Sequence, residues 1–345
     1  MVSVRADHGG GPRHIYQLIK NLHEQFEIYT ACPYEKPYWD LFEKILDENH
    51  MEIIPHRRFR FDKLSDLAKY VKLNKIQLIH SHGKGAGLYG RLLARKTNSK
   101  SIHTFHGLHL DNYNSWQKWL YLKLERWLCA QSDACIAVSN SEYQRILKHK
   151  IVSEQKLFTI LNGVTVAQKK HTFVMKKRII CILRDDPAKN PDLVIRIAKL
   201  LPHYEFRLIG IEPSDKWDEK LEGLKNIRIM GLMSSTGIIK QMKWASICLS
   251  SSRWEGLPLT LLEAISQQIA IVATDVTGNR DLVEKNGWMF ESNNAEDGAQ
   301  AIIDCLADSQ IYESKVRAAY DNLVQKYDER VMCKVTSELY YNLLK

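Results

Sequence analysis

Short apolar runs alternate with longer amphipathic segments along the whole of this 345-residue chain. A short apolar run predicts a buried strand, and apolar residues at every third or fourth position predict a helix. Where the two alternate, the strands form parallel sheets with helices on both faces, so the predicted fold class is α/β. The predicted strands are residues 76–80, 101–105, 134–138, 178–183, 206–211, 246–249 and 270–273. The predicted helices are residues 15–25, 87–95, 116–130, 190–201, 259–267, 295–307 and 329–345.

The most informative polar pattern is a pair of glutamates, Glu255 and Glu263, separated by a segment that contains Gly256 and Pro258. Pro258 fits the first turn of a helix, where its missing N–H costs nothing. Glu255 is then expected on the loop before the helix and Glu263 about one turn inside it. The helix terminus between them offers unpaired N–H groups and a partial positive charge to a phosphate. A nucleotide sugar has this layout, because its diphosphate lies between two groups that carry hydroxyls.

This block resembles the signature of the retaining glycosyltransferases of family 4, which have the GT-B fold. The resemblance continues through the segments LSSSRW, EAIS, IVATD, GNRDLV and NGW at residues 249–254, 263–266, 271–275, 278–283 and 286–288. It covers nearly the whole chain and is strongest over residues 178–290. The sequence departs from the family at Leu183 and Ala270, where relatives usually have Gly and Pro, and at Gln268, where they have Gly.

The resemblance implies two doubly wound Rossmann-like domains with an interdomain cleft. The expected domains are residues 1–167 on the acceptor side, residues 168–328 for the nucleotide sugar, and a helix over 329–345 that crosses back to the first domain. The polar stretch 165–177 is the predicted linker. Relatives have a fuller first strand before the glycine loop, whereas only residues 1–5 are available for it here, so we expect a short first strand or a start codon farther upstream.

The resemblance also assigns the donor contacts. Glu255 is expected to bind hydroxyls of the transferred sugar and Glu263 the ribose. Arg184 and Lys189 occur at the spacing at which the family sets cations against the donor diphosphate. Fixed cations stabilise the charge of a departing nucleoside diphosphate without a metal ion. An isolated Arg–Lys pair of this kind would be interpreted as a solvated surface.

The remaining donor-site predictions concern the main chain around the diphosphate and the base. The N–H groups of Leu257, Leu259 and Thr260 are expected to contact phosphate, next to Gly256 and Pro258. Met230 lies where relatives hold the base through main-chain contacts. The base cannot be identified from such contacts, and a UDP-sugar is the working expectation, with no metal and no other cofactor.

Glycines and histidines carry the predictions for the first domain. Gly10 and Gly11 belong to a glycine loop before a helix, where the backbone can approach a donor phosphate. His106 corresponds to a family histidine that faces the transferred sugar, and His82 and Asn162 are expected on the acceptor side. No third ligand accompanies His80 and His82 in the sequence, so no metal site is predicted. The expected catalytic residues are His106, Glu255, Arg184 and Lys189.

The segment 116–128 is aromatic, apolar and basic, and it has two interpretations. The favoured one packs its Trp, Leu and Tyr residues in the core of the first domain. The alternative is an amphipathic helix that contacts an anionic membrane near a lipid-carried acceptor.

The charge distribution and the cysteine content indicate the kind of partner and the cellular compartment. Residues 1–165 carry 24 Lys and Arg against 16 Asp and Glu, whereas the remainder carries 25 against 24. A basic half can meet an anionic lipid or substrate, and no nucleic-acid motif is present. Seven scattered cysteines without a CxxC pair indicate free thiols in a reducing compartment. No apolar run is long enough to span a bilayer, so we expect a cytoplasmic protein, either free or at the cytoplasmic face of the inner membrane.

The family resemblance, together with the basic first half, implies a retaining glycosyltransferase. It would move a hexose-type sugar from a nucleotide sugar to a hydroxyl of a glycan or lipid-linked acceptor, in bacterial surface polysaccharide or lipopolysaccharide (O-antigen) biosynthesis. The family's mechanism implies attack on the same face, with the leaving phosphate assisting the acceptor hydroxyl. Two alternatives remain open: a nucleotide-sugar epimerase of the same fold, and a non-catalytic nucleotide-sugar-binding protein.

Overall fold

A computed structural model describes residues 1–108, 110, 113–168, 173 and 175–345. The chain forms two compact units, the first made of Met1–Gly163 with Glu329–Lys345 and the second of Val164–Asp328. The second unit therefore begins at Val164, four residues before the predicted boundary. Residues 169–172 and 174 of the predicted linker lie outside the described residues.

The described residues of the first unit form six short parallel strands and seven helices. Its strands are β1 (Thr30–Cys32), β2 (Met51–Ile53), β3 (Leu78–His82), β4 (Lys100–Thr104), β5 (Ala134–Ala137) and β6 (Leu157–Thr159). Its helices are α1 (Gly10–Leu22), α2 (Tyr38–Glu43), α3 (Phe61–Leu73), α4 (Lys84–Thr97), α5 (Ser115–Ala130), α6 (Asn140–Lys148) and, at the end of the chain, α14 (Glu329–Leu344), with 3₁₀ turns at Glu48–His50 and Glu154–Lys156.

A single residue, Val2, connects two sheets of the first unit. Strands β3, β4, β5 and β6 pair in that order, and β1 pairs with β2. Val2 forms parallel bridges to Ala31 in β1 and to Ser81 in β3. The expected short first strand is thus reduced to one bridging residue at the centre of a doubly wound sheet. The strand order reverses at Val2, and ligands of such sheets bind beyond the carboxyl ends of the strands at that place.

In the second unit, the part of the chain that the structure describes forms six strands and seven helices. Its strands are β7 (Arg178–Ile182), β8 (Glu205–Ile209), β9 (Ile227–Ile229), β10 (Ile247–Ser250), β11 (Ala270–Thr274) and β12 (Trp288–Phe290). Its helices are α7 (Pro191–Leu200), α8 (Asp215–Leu221), α9 (Ser235–Trp244), α10 (Leu259–Ser266), α11 (Asn279–Val283), α12 (Ala295–Cys305) and α13 (Ser309–Lys326).

All strands of the second unit are parallel, in the order β12-β11-β10-β7-β8-β9. Their buried Ile, Val, Leu and Phe side chains pack against α7 and α12 to form its core. The order reverses between β7 and β10, which places the loops that follow these two strands side by side. The predicted fold, two Rossmann-like α/β units, is confirmed.

Membrane-spanning segments were sought among the helices in the described part of the chain. None of them combines the length and the apolar character needed to cross a bilayer.

Candidate functional site

Two loops meet at the point where the strand order of the second unit reverses. One follows β7 and runs from Leu183 to Asn190, and the other follows β10 and runs from Ser251 to Pro258. The N–H of Arg253 donates to the carbonyl of Ala188 at 2.8 Å, and Ser251 Oγ donates to the carbonyl of Lys189 at 2.7 Å. These bonds hold the first loop, which carries Arg184 and Lys189, against the second, and they bring Lys189 beside Glu255.

Lys189 and Glu255 form an ion pair between the two loops. Lys189 Nζ donates to Glu255 Oε1, and both side chains are mostly buried. Ser252 Oγ donates to the same carboxylate oxygen at 2.7 Å. The carboxylate is therefore held in one orientation, with its charge balanced, and its second oxygen remains available as an acceptor for a hydroxyl. The sequence pointed to Lys189 and Glu255 separately but gave no sign of this pairing or of the role of Ser252.

Arg184 lies at the opening of the same loop and is more exposed than Lys189. Its Nη2 is 3.5 Å from Asp186 Oδ2, and Asp186 Oδ1 accepts from the N–H of Ala188 at 2.8 Å. The guanidinium of Arg184 is partly exposed and the ammonium of Lys189 is mostly buried, so one short loop at the edge of the sheet carries two cations. Two cations match the charge of a diphosphate better than that of a single carboxylate.

Helix α10 begins where the Glu255 loop ends. Leu259 and Thr260 are its first two residues, so their N–H groups have no carbonyl partner within the helix. The expectation that Pro258 lies in the first turn is wrong by one position: it is the N-cap residue, in an extended conformation. Glu263 is the fifth residue of the helix and is half-buried, about one turn inside, as expected.

Gly278 supports the Glu255 loop from behind. It has φ +86°, and a Cβ at this position would overlap the carbonyl group of Gly256. Asn279 donates to the Thr274 carbonyl at 2.9 Å, and Thr274 Oγ1 donates to the Ser252 carbonyl at 2.6 Å. This chain of contacts fixes Ser252 and Gly256, and it explains the glycine, asparagine and threonine in the segments downstream of the glutamates.

Met230 follows β9, at the same edge of the sheet. Its N–H donates to Leu208 at 2.8 Å, and the Gly231 carbonyl accepts from Gly210 at 2.9 Å. Met230 is half-buried, and the adjacent Gly231 has φ +71°. The main chain turns here beyond the end of β9, as a main-chain contact with a base would require.

The glycines of the first unit lie in a helix rather than in a loop. Helix α1 begins at Gly10, so Gly10 and Gly11 form its first turn and Gly9 is the N-cap residue. The prediction that Gly10 and Gly11 belong to a loop before the helix is therefore wrong. A Cβ added at Gly11 would meet no atom within 4 Å, which leaves open space at this helix terminus.

Three histidines of the first unit converge. His14 comes from α1, His82 ends β3 and His106 follows β4 with φ +58°. His82 Nδ1 lies 3.2 Å from His106 Nε2, and His14 Nδ1 lies 3.0 Å from Asn162 Oδ1, to which it donates. His82, His106 and Asn162 are thus brought together, and His14 is a member of the cluster that sequence reasoning missed.

The cluster corrects one sequence-based argument about metals. His80 and His82 were judged to lack a third ligand, but one ring nitrogen each of His14, His82 and His106 lies within 4.8 Å of the others. His80 is engaged elsewhere, with Tyr340 and Thr104. His82 Nε2 is buried and finds no hydrogen-bond partner among the described residues. The three imidazoles offer hydrogen bonds to a hydroxyl, and neutral imidazoles are also metal ligands.

Burial keeps these imidazoles neutral. It lowers the pKa of His14 to about 4, with Asn162 opposing the shift, and lowers the pKa of His106 well below its usual value, with His14 adding to the effect. The pKa of His82 falls in the same way, through burial and then through His80, His14 and His106.

These depressed pKa values predict acid sensitivity. An unfolded histidine has a pKa near ~6.5, so between that pH and about 4 the unfolded chain binds a proton at His14 that the folded chain does not. The free energy of unfolding should therefore fall as the pH falls through this window, by about 1.4 kcal/mol per pH unit for each such histidine. When the pH falls from ~6.5 to ~5, the free energy of unfolding of His14→Gln, measured by urea titration, should decrease by about 2 kcal/mol less than that of the wild type.

The matched control is His23→Gln, which removes an exposed imidazole from the C-terminal end of the same helix. It should keep the wild-type pH dependence. An unchanged pH dependence in His14→Gln would contradict the assignment.

Comparisons with known proteins find similar sequences over nearly the whole chain. Residues 8–168 match the family model described as Glycosyltransferase Family 4, and residues 165–322 match Glycosyl transferases group 1. The O-antigen biosynthesis glycosyltransferase WbnH of Escherichia coli is 24% identical over 339 residues, covering 94% of this chain and 95% of that protein.

A second relative and a solved structure extend the comparison. The E. coli UDP-Gal:alpha-D-GlcNAc-diphosphoundecaprenol alpha-1,3-galactosyltransferase is 24% identical over 320 residues, covering 84% of this chain and 81% of that protein. The crystal structure of Anabaena Alr3699/HepE in complex with UDP and glucose superimposes with a TM-score of 0.81 at 15% identity, covering 99% of this chain and 98% of that one. The structural likeness shows the shared fold.

Proposed function

Because this chain belongs to the GT-B glycosyltransferases that join a family 4 domain to a group 1 domain, we propose that it transfers a hexose-type sugar from a nucleotide sugar to a hydroxyl of a glycan or lipid-linked acceptor, with retention of configuration. The observation that carries the proposal is the meeting of two loops where the strand order reverses: one carries Arg184 and Lys189, and the other carries Glu255, which pairs with Lys189, and leads into α10. We place the reaction in bacterial O-antigen or related surface polysaccharide synthesis. The E. coli relative named as an O-antigen biosynthesis glycosyltransferase supports this setting, and the name of the E. coli galactosyltransferase, with its UDP-sugar donor and diphosphoundecaprenol-linked acceptor, supports a lipid-linked acceptor.

In the proposed donor complex, the diphosphate lies against the first turn of α10. The N–H groups of Leu259 and Thr260, with that of Leu257, donate to its oxygens. Arg184 and Lys189 neutralise the charge that grows on the leaving nucleoside diphosphate as the glycosidic bond breaks. Two protein cations supply this stabilisation, so we propose that no metal ion and no other cofactor is needed.

Glu255 binds hydroxyls of the transferred sugar in this scheme. Its carboxylate is already engaged by Lys189 and Ser252, which favours a binding role over that of a covalent nucleophile. Retention would then follow from attack on the face that the phosphate leaves, with a phosphate oxygen accepting the proton of the acceptor hydroxyl. In the first unit, His106 with His82 and Asn162 supplies acceptor-side contacts, and the first turn of α1 at Gly10 and Gly11 supplies further N–H donors.

The proposed location is the cytoplasm. The seven cysteines, all among the described residues, are buried and form no disulfide bond, and burial raises the pKa of Cys32 and Cys248 to about 12. Cysteines without disulfide bonds are typical of a reducing compartment.

Transfer itself is the test of the function. The purified protein is incubated with UDP-glucose, UDP-galactose or their N-acetylated forms and a synthetic lipid-diphosphate sugar acceptor, and the product is analysed by NMR. We expect a new glycosidic bond with the anomeric configuration of the donor. An inverted product would contradict retention, and an epimerised donor formed without acceptor would contradict transfer.

Glu263 provides a separate test of donor binding. Glu263→Ala should weaken the binding of the preferred UDP-sugar by about 10- to 100-fold in calorimetry, because hydrogen bonds between a carboxylate and ribose hydroxyls are lost. Glu284→Ala removes an exposed carboxylate from the same unit and should leave the affinity unchanged. Equal affinities in the two variants would exclude the ribose role.

A further inference from the structure

Helix α5 turns an apolar stripe outward. Trp116, Trp119, Leu120, Leu124 and Trp127 follow one another at helical spacing, and each is between 43% and 65% exposed. Trp116 and Trp119 stack on each other with ring centroids 4.9 Å apart. The favoured sequence-based interpretation, which packs the Trp, Leu and Tyr residues of this segment in the core, is therefore wrong for these five side chains, whereas Leu122 and Leu128 are buried as it expects. A soluble surface rarely exposes three indoles and two leucines on one helix without a partner for them.

The opposite face of α5 explains this orientation. Leu122, Leu128 and Cys129 are buried, and Glu125 between them forms an ion pair with Arg91 of α4 at 2.9 Å. The buried charge pair and the small apolar face fix α5 against the unit, so the tryptophans are held outward.

Cations surround the stripe. Lys123 lies within it, with its Nζ 4.0 Å from the centre of the Trp119 ring. Lys118, Arg126, Arg145 and Lys148 lie close enough together to lower the pKa of His149, an effect that adds to that of burial. The only acid of α5 is Glu125, which is buried, so the outward face of this helix carries no negative charge.

The charge of the whole chain is concentrated on the unit that carries α5. The first unit holds 27 Lys and Arg against 18 Asp and Glu, a formal charge of +9, and the second holds 22 against 22. An anionic surface would therefore attract the first unit through its net positive charge, whereas the second unit has no net charge to attract.

We propose that the outward face of α5 docks on an anionic phospholipid bilayer. The helix would lie in the plane of the interface, with the indoles of Trp116, Trp119 and Trp127 at the level of the headgroups and the exposed Lys123 and Arg126 against lipid phosphates. An apolar stripe flanked by cations fits this occupant, because the stripe is buried in the acyl boundary while the cations meet negative headgroups. A role in bringing the enzyme to a lipid-linked acceptor rests on the proposed function, whereas binding to vesicles does not.

Vesicle sedimentation tests the surface. The full-length protein is mixed with vesicles of phosphatidylglycerol and phosphatidylcholine, or of phosphatidylcholine alone, at low and high salt. We expect binding to the anionic vesicles at low salt, loss of most binding at high salt, and a blue shift of tryptophan fluorescence on binding. The variant Trp116→Ser with Trp119→Ser and Trp127→Ser should bind at least about tenfold more weakly.

Control variants test whether a loss of vesicle binding is specific to the tryptophans of α5. Phe61→Ser with Leu73→Ser removes two other exposed apolar side chains of the same unit, on α3, and should bind as the wild type does. The tryptophan variant should keep the wild-type melting temperature, since all three side chains point outward. Lys123→Glu should reduce binding to the anionic vesicles and leave binding to neutral ones unchanged.

Several outcomes would overturn the proposal. One is the absence of binding to anionic vesicles at low salt, and another is equal binding by the tryptophan variant. A third is a dimer in sedimentation velocity that the tryptophan variant dissociates while neither protein binds vesicles, since a second copy would then cover the stripe. Sugar transfer to a water-soluble acceptor tests the enzyme separately, so failure on vesicles would leave the proposed reaction standing.

Discussion

Replacing both Arg184 and Lys189 by Ala should lower kcat for sugar transfer by at least about 1,000-fold. Removing a single preorganised donor to a developing negative charge typically costs about 100- to 1,000-fold in kcat, and here two cations on one loop are removed together. Lys189→Ala also leaves Glu255, which is mostly buried, without its ammonium partner. The carboxylate then keeps only Ser252, so its orientation towards the sugar should also be lost.

The matched control is Lys220→Ala, which removes an exposed ammonium of the second unit that pairs with Asp192. It should retain full activity. Both proteins are assayed under saturating donor, and circular dichroism checks that the double variant is folded. EDTA should leave the wild-type rate unchanged. Loss of activity in EDTA and its recovery with a divalent ion would contradict the metal-free scheme and would direct attention to His14, His82 and His106.

Glu125→Ala should destabilise the first unit by about 3–5 kcal/mol. The side chains of Arg91 and Glu125 are 0% and 3% exposed, and their ion pair joins α4 to α5. Removing one partner leaves a buried guanidinium without its counter-charge, which is the costly way to break such a pair. Arg91 would keep only its bonds to the Gly87 carbonyl and the Cys129 sulfur. Thermal unfolding should show a fall in Tm of about 10 °C.

Two further variants separate the charge from the packing. Asp66→Ala breaks an exposed pair with Lys69 on α3 and should change the stability by less than about 1 kcal/mol. Arg91→Met combined with Glu125→Leu removes both charges and should recover most of the lost stability. If Glu125→Ala melts at the wild-type temperature, the buried pair does not hold α5 in place.

The donor-side elements could be predicted because their sequence signals are local and strong. Strand β7, strand β10 and helix α10 were all predicted within one or two residues, and Glu255 and Glu263 fell on the loop and the helix as expected. Strands β1, β2, β6, β9 and β12 were missed because each has only three residues, too few to show a period. The first strand, reduced to Val2, leaves even less of a signal.

The first-unit site was harder to predict because it depends on long-range contacts. His14 and Asn162 are 148 positions apart in the sequence, and no local sequence pattern around either residue predicts their hydrogen bond. Helix α5 was predicted in place, but the favoured interpretation wrongly placed its tryptophans in the core. Its apolar spacing is the same whether the stripe faces the core or the solvent, and the deciding feature is Glu125, whose partner Arg91 lies on another helix.

The chain leaves the first unit at Gly163 and returns to it at Glu329. Between these points the second unit begins and ends side by side, because Val164 pairs with Asp328 and its N–H donates to the carbonyl of Tyr327 at 2.8 Å. Topologically, one module is inserted into the other. During synthesis the inserted module is complete before the ribosome makes α14, the last piece of its host. If residues 164–328 were replaced by the corresponding segment of a relative, both junctions would lie at the same place, because Val164 and Asp328 are adjacent.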